Sequence, residues 1–181
     1  MDASAIRSAT KSDASAIARV CIRSRRAGYR DLMPAHELDG RPEAERAETW
    51  RRRLTAGSSD WFVLVSGDRE LTGYCMAFTP SCDADAGPEV AEIAALYVAP
   101  RAWSCGVGSA LVTSTLERMR RESFKRVSVW PLAANERALR LYAWLGFRPD
   151  GASFPEQETG LTKVRLAKPL RRLRWPWIFT S

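Results

Sequence analysis

Leu96-Tyr97-Val98-Ala99-Pro100-Arg101-Ala102-Trp103-Ser104-Cys105-Gly106-Val107-Gly108-Ser109-Ala110-Leu111 decides how the rest of the chain is read. Its first residues close an apolar run, Val90 to Val98, that ends at Pro100. Its last residues open a helical pattern over Gly106 to Ser123, with Val107, Leu111, Leu116 and Met119 near one face. A strand therefore passes through a loop with two glycines, Gly106 and Gly108, directly into a helix. Such a junction gathers unpaired backbone N–H groups and the positive end of a helix dipole at one point, which makes a seat for an anion. Glycine lets the backbone come close to a pyrophosphate, and the N–H groups donate without help from a basic side chain. Tight packing of a Gly-rich helix start leaves the same trace.

Outward from this junction, strand and helix signals alternate. Upstream, Ala5 to Ala9 is a short strand. Ser12-Asp13 then supply N-cap chemistry for a helix in which Ile17, Val20 and Cys21 recur on one face, and Pro34 stops it near Met33. Pro42 opens a second helix, from about Glu43 to Leu54, where Trp50 and Leu54 share a face. Trp61 to Val65 and Leu71 to Phe78 flank Ser66-Gly67-Asp68 as a hairpin, and the breaker-rich loop 79–89 is expected at the surface. Downstream, Arg126 to Trp130 is a strand, Glu136 to Leu145 a helix closed by Gly146, and about Leu161 to Leu166 a final strand, with room for one more. This mixture predicts an α/β or α+β sandwich with helices on both faces of a sheet. No repeat or linker interrupts residues 1–168, which are expected to form one domain.

The second informative stretch is Asn135-Glu-Arg-Ala138-Leu-Arg-Leu-Tyr142-Ala-Trp-Leu-Gly146-Phe147. With both stretches present in this order, the sequence resembles the GNAT superfamily of acetyl-CoA-dependent N-acetyltransferases. Trp103 to Gly108 is similar to its pyrophosphate motif, Arg/Gln-x-x-Gly-x-Gly/Ala. Asn135, Ala138, Tyr142, Gly146 and Phe147 match its Asn-x-x-Ala-x-x-x-Tyr…Gly-Phe element. The resemblance extends over about residues 5–168.

What the resemblance implies is a mixed, mostly antiparallel central sheet whose fourth and fifth strands splay apart, with acetyl-CoA as the acetyl donor. The pantetheine arm enters the splay against exposed backbone of the fourth strand, here Leu96, Tyr97 and Val98. The pyrophosphate rests on Trp103, Ser104, Cys105, Gly106, Val107, Gly108 and Ser109, while Asn135 either bonds the pantetheine arm or caps its helix. A primary amine then attacks the thioester directly, and backbone N–H groups in the splay stabilise the oxyanion. In members with a fourth-strand glutamate, that residue stands fourteen positions before the first motif glycine, which makes Glu92 the candidate general base. Among Ile93, Ala94 and Ala95 its pKa would be raised toward a base's working range; a solvated strand end is the alternative. Tyr142 matches the general acid that protonates the departing thiolate, and a core tyrosine is the alternative.

The motif's first position is Trp103 rather than Arg or Gln, so a side-chain donor to the pyrophosphate is missing, and Arg101 or Arg140 are the candidates to supply charge. The acceptor site of the family draws on the loop between the first two helices. Here that points to Tyr29 and Met33, with Arg30, Leu32 and His36 beside them; Tyr29 and Met33, four apart, also fit a core stripe. A small polyamine or aminoglycoside, an amino acid and a peptide N-terminus are all open as acceptors. His36 is the sole histidine and has no second ligand type near it, so no metal is expected.

Composition agrees with a soluble domain: 181 residues, 45% apolar and 27% charged, enough to bury a core without staples. The four cysteines, at positions 21, 75, 82 and 105, form no Cys-x-x-Cys pair and are expected as reduced thiols, although Cys105 at a helix start could be reactive. Met1-Asp2-Ala3-Ser4 is unlike a signal peptide and no apolar run approaches the roughly 18 residues of a membrane span, so a cytoplasmic location is expected. The net charge is +7, yet six of the 28 basic residues follow the last acidic one, Glu158, leaving residues 1–158 nearly neutral. The segment 169–181 is a basic tail with Trp175, Trp177 and Phe179 among its arginines. It suits a nucleic acid or membrane surface, or packing on its own body or on a second copy in a homodimer. A different class of reading is an acyl-CoA-binding or sensing module that keeps the fold without turnover.

Overall fold

Trp61-Phe-Val-Leu-Val65 shows no polar alternation because the strand it forms is covered on both sides. In the computed structural model, which describes residues 5–33, 38, 40–67, 70–155 and 160–170, seven strands are seen. They are β1 (Ile6–Ser8), β2 (Trp61–Ser66), β3 (Gly73–Phe78), β4 (Val90–Val98), β5 (Arg126–Val129), β6 (Arg148–Pro155) and β7 (Thr162–Pro169). They pair in the order β1-β2-β3-β4-β5-β7-β6, and every pairing is antiparallel except β4 with β5. The helices are α1 (Ala14–Tyr29), α2 (Glu43–Ala56), α3 (Val107–Arg121) and α4 (Glu136–Trp144).

The two faces carry separate cores. On one, Ile17, Val20 and Cys21 of α1 and Trp50 and Leu54 of α2 cover Val63, Val65, Tyr74 and Met76. On the other, Leu111, Val112, Leu116 and Met119 of α3, with Tyr142 and Phe147, cover Phe62, Leu64, Cys75, Ala91 and Ile93. Gly73 permits the close approach of α3 to β3, since a Cβ there would lie 2.9 Å from the Leu111 side chain and 3.0 Å from the Tyr97 carbonyl.

Two local irregularities position the cleft. Met76 pairs with Ala95 and Ala77 with Ile93, so Ala94 is a bulge in β4. Before it, Ala91 and Ile93 face the α3 side; after it, Leu96 and Val98 do, while Ala95 and Tyr97 face α1. The bulge therefore puts Glu92 and Tyr97 on the same face although they are five residues apart. Next, β4 and β5 pair only from Val90↔Arg126 to Ile93↔Val129. Beyond Val129 the chain turns to β7: Pro131 carbonyl accepts from Val164, Leu132 bridges Lys163, and Ala133 N–H donates to Thr162. The five residues Ala94 to Val98 are thereby left without a partner on the β5 side, which is the splay.

Beyond shifts of one or two residues at other element ends, three differences from the sequence expectation bear on the site and the domain. Helix α1 ends at Tyr29 rather than near Met33, because the Leu32 and Met33 N–H groups both fold back onto the Tyr29 carbonyl at 2.9 Å; Pro34 and His36 lie outside the described residues. The extra strand is β6, whose mostly exposed Arg-Pro-Asp-Gly-Ala-Ser-Phe-Pro carries no periodic apolar signal. Finally, β7 runs through Pro169, and Leu170 is buried at 5% exposure with its N–H on the Lys125 carbonyl, so the body reaches two residues into the segment drawn as a tail at 169. Residues 171–181, with Trp175, Trp177 and Phe179, lie outside the described residues. No helix among the described residues is long and apolar enough to cross a membrane.

Candidate active site

The splay opens into a cleft of about 1060 Å³ bounded by the end of α1, β4, the loop before α3, and α4. Its phosphate-loop end is built by backbone conformation. Pro100–Ala102 form a single 3-10 turn, Ser104 and Gly106 take left-handed φ of 62° and 81°, and α3 starts at Val107. The N–H groups of Val107, Gly108 and Ser109 find no acceptor among the described residues, and they point out of the helix start as an anion seat requires. A Cβ on Gly106 would meet only Ser109 Oγ at 4.0 Å, so glycine is needed there for its φ rather than for space within the protein.

Trp103, Ser104, Gly106, Gly108 and Ser109 line the cleft, whereas Cys105 does not and lies exposed with its Sγ toward the Trp103 carbonyl. Val107 packs against the core. Trp103 does two things: its indole Nε1 donates to the Val98 carbonyl at 2.8 Å, and its ring carries the Arg137 guanidinium, whose Cζ is 3.5 Å from the ring centroid. Arg137 belongs to α4, so the stack bridges two walls of the cleft. Of the two cations expected near the phosphates, Arg101 is paired with Glu70 at 2.6 Å and Arg140 with Glu136 at 2.8 Å. Sequence reasoning missed Arg137, because its meeting with Trp103 depends on how α4 packs.

Along β4 the Ala99 N–H donates to Thr72 on the β3 side, so alternation turns the backbone of Leu96 and Val98 toward the splay and that of Tyr97 toward β3. Leu96 and Val98 thus present main-chain groups to the cleft, with the Val98 carbonyl already taken by Trp103. Tyr97 enters it through the side chain instead. Burial, with the neighbouring Tyr29 and Cys21, pushes the Tyr97 phenol up. Asn135 caps α4, accepting from the Ala138 N–H at 3.1 Å, and also lines the cleft.

Glu92 is half-buried at the closed end of the splay, opposite Ser128 of β5. Its Oε2 accepts from Ser81 Oγ at 3.1 Å and from the Cys82 N–H at 3.2 Å. Burial and then the Asp83 charge raise its pKa, against which these two hydrogen bonds act. The loop 79–89 is therefore more than a surface connection: Asp83 accepts from Trp130 Nε1 at 2.8 Å and Ser128 Oγ at 3.3 Å. Arg165 ties Asp83, Asp85 and Asp150 together at 3.5, 2.6 and 2.8 Å. Tyr142, 4% exposed, rests edge-on against Phe147 and lines the cleft from α4. Burial raises its phenol well above the usual range, with Cys75, Tyr29 and Tyr97 adding to it, which keeps the hydroxyl protonated. Tyr29 also lines the cleft, and Met33 is 6% exposed in a small core with Leu38 and Leu132, so Met33 is a packing residue at the cleft's edge.

Residues 26–147 match the family model described as the acetyltransferase (GNAT) family. Over 101 residues the chain is 35% identical to mycothiol acetyltransferase of Sanguibacter keddieii; that stretch is 56% of this chain but spans only 30% of the relative's length. The PaiA N-acetyltransferase of Thermoplasma acidophilum, crystallised with coenzyme A, superposes with a TM-score of 0.74 at 15% identity, covering 91% of this chain and 98% of that one. YncA of Salmonella typhimurium, a putative acetyltransferase solved with acetyl-CoA, gives 0.68 at 22% identity over 97% and 99% of the two chains. The mostly antiparallel sheet with its splay and the match over more than half of the sequence carry one conclusion: this chain belongs to the GNAT acetyltransferase family.

Proposed function

We propose that this chain transfers the acetyl group of acetyl-CoA to a primary amine, with Glu92 as general base and Tyr142 as general acid. The observation that carries this reading is the splay itself: one cleft joins free helix-start N–H groups at one end to a half-buried carboxylate at the other, with a buried tyrosine on its wall. Family membership and the likeness to a mycothiol acetyltransferase and to an N-acetyltransferase bound to coenzyme A support it.

In this scheme the N–H groups of Val107, Gly108 and Ser109 hold the pyrophosphate, and Arg137 on Trp103 supplies the cation that the motif lacks at position 103. The main chain of Leu96 pairs with the pantetheine amides. Glu92 takes a proton from the ammonium, whose freed lone pair then attacks the thioester carbonyl carbon. The C–N bond forms, the C–S bond breaks, the nitrogen gives up its second proton to solvent, and Tyr142 protonates the leaving sulfur before regaining its own proton from water. Burial raises the Glu92 carboxyl above its ordinary range, the direction a base needs, and keeps the Tyr142 phenol a donor.

The test is thiol release from acetyl-CoA by the purified chain over a panel of amines, repeated with Glu92→Gln and Tyr142→Phe. Turnover that falls in both variants while acetyl-CoA affinity stays within about twofold is expected, since general acid–base assistance contributes ~10²–10⁴ in rate. Acetyl-CoA binding without thiol release on any amine would favour a binding or sensing module. Wild-type rates in both variants would remove these two residues from the mechanism.

A further inference from the structure

Arg25 is one of the cations lining the cleft, with Arg30, Arg140 and Lys163, that the acetyl-transfer scheme leaves unused. It stands on α1 one turn before Tyr29, with its Cζ 5.8 Å from that ring's centroid, and it lines the cleft. Its Nε is buried and has no hydrogen-bond partner, and no carboxylate among the described residues pairs with it. By contrast, two other arginines of the cleft wall have carboxylates: Arg140 has Glu136 at 2.8 Å and Arg30 has Asp31 at 3.8 Å. Burial works against the Arg25 charge, but the Tyr97 phenol, through its charge and a hydrogen bond, together with Cys21 and Tyr29, outweighs this and raises the Arg25 pKa. The buried Nε N–H is nevertheless left unsatisfied, and an anion in the cleft would complete it.

The surroundings locate that anion. Arg25, Tyr29, Tyr97 and Tyr142 line the same cleft, so the seat opens into the space where the thiolate would depart. Because of the Ala94 bulge, Tyr97 and Glu92 share one face of β4, which places a cation and a carboxylate along one side of a single cleft. An acceptor with an ammonium toward Glu92 and an anionic group toward Arg25 matches this charge order. A polyamine or aminoglycoside would set a like charge against Arg25.

We infer that the acceptor is a carboxylate-bearing amine, a free amino acid or similarly small zwitterion, whose carboxylate pairs with the Arg25 guanidinium. This rests on the acetyl-transfer reading for the amine and on Arg25 for the acid. A bidentate pair from Arg to a carboxylate is the strong form of such a contact, and Lys reproduces it poorly.

The experiment compares free L-amino acids with their amides as acceptors in thiol release. In parallel, the binding of N-acetyl-L-amino acids and N-acetyl-L-amino-acid amides to coenzyme A-loaded protein is followed by calorimetry, in wild type and Arg25→Gln. The expected result is a preference of about tenfold or more for at least one acid over its amide. Arg25→Gln should erase it while leaving the KM for acetyl-CoA within about twofold. Acids that bind through Arg25 without thiol release would leave the seat standing and sink the transferase reading. Amides accepted as well as acids would do the reverse. The inference is overturned if no member of the panel binds the loaded wild type with an acid preference, a comparison that needs no variant to fold.

Discussion

The Arg137 guanidinium lies 3.5 Å from the centroid of the Trp103 ring, so a residue of α4 and a residue of the phosphate loop close on each other across the mouth of the cleft. Trp103 is itself held by its hydrogen bond to the Val98 carbonyl. The loop, the strand end and the helix therefore share one anchor, and the cation rests on an aromatic face rather than on a carboxylate.

Arg137→Ala should raise the KM for acetyl-CoA about tenfold with little change in kcat, consistent with a charge-assisted contact worth ~1.5 kcal/mol at an exposed site. Arg137→Lys should recover little of it, because an ammonium does not reproduce the stacked fork. Arg101→Ala, whose guanidinium is engaged by Glu70, is the control and should have a smaller effect. Steady-state kinetics on acetyl-CoA measure all three.

The Glu92 carboxyl titrates above its ordinary range because it is buried and faces Asp83. Only the deprotonated form accepts a proton, so kcat/KM should rise with pH through that raised value, and Glu92→Gln should lose this limb. Stability runs the other way. A carboxyl raised in the folded state contributes stability below its unfolded pKa and loses it as pH rises through the folded one. Glu92→Gln should accordingly gain Tm over wild type at pH 8 relative to the difference at pH 4. A thermal melt at both pH values decides, and an equal difference would contradict the burial.

Arg165 is the sole hub of the Asp83, Asp85 and Asp150 cluster among the described residues, with side-chain exposures of 15% for itself and Asp83 and 16% for Asp150. Arg165→Met should cost ~1–3 kcal/mol, since it leaves the largely buried Asp83 without its cation, while Asp150 keeps Arg126 at 2.8 Å and Asp85 is exposed. Adding Asp83→Asn should restore part of the loss. With Asp83 uncompensated, the Glu92 limb of the rate profile should also move to higher pH. Urea unfolding and the pH profile give the two readings, and a stable variant with an unmoved limb would dissociate the network from the base.

Asp13, 7% exposed, receives both Arg7 Nη groups at 2.8 Å and the Thr10 N–H at 2.8 Å. The Arg7 contacts above all hold its carboxyl below the ordinary value of 3.8. A depressed carboxyl stabilises above its unfolded pKa, and that contribution is lost as pH falls through the folded one. Asp13→Asn should cost ~1–3 kcal/mol at pH 7 and progressively less toward pH 2, as measured by denaturant titration at each pH.

Much of the site was legible because it is written in short, local chemistry. The strand from Val90 to Val98 has the bounds the apolar run predicts, the Gly106 turn follows from a strand running into a helix, and Asn135 and Tyr142 fall on one short helix with its cap. What stayed hidden needed partners distant in sequence. Arg137 on Trp103 and Asp83 beside Trp130 and Arg165 are such cases, because neither position shows in the sequence which side chain packs against it.

The sequence by itself determined the order of strands and helices, the glycine turn that exposes the helix-start N–H groups, and the resemblance that the family match bears out. These depend on backbone preferences and periodicities that a few neighbouring residues suffice to encode. Only the tertiary structure decided which face Glu92 occupies, because the Ala94 bulge arises from pairing with β3, and a one-residue slip reverses every side chain beyond it. It likewise decided that Arg137 meets Trp103 and that Arg25 faces the cleft with no carboxylate among the described residues. Electrostatics in a cleft is a sum over groups brought together from α1, β4, α4 and the loop after β3, and that sum exists only once those elements have packed.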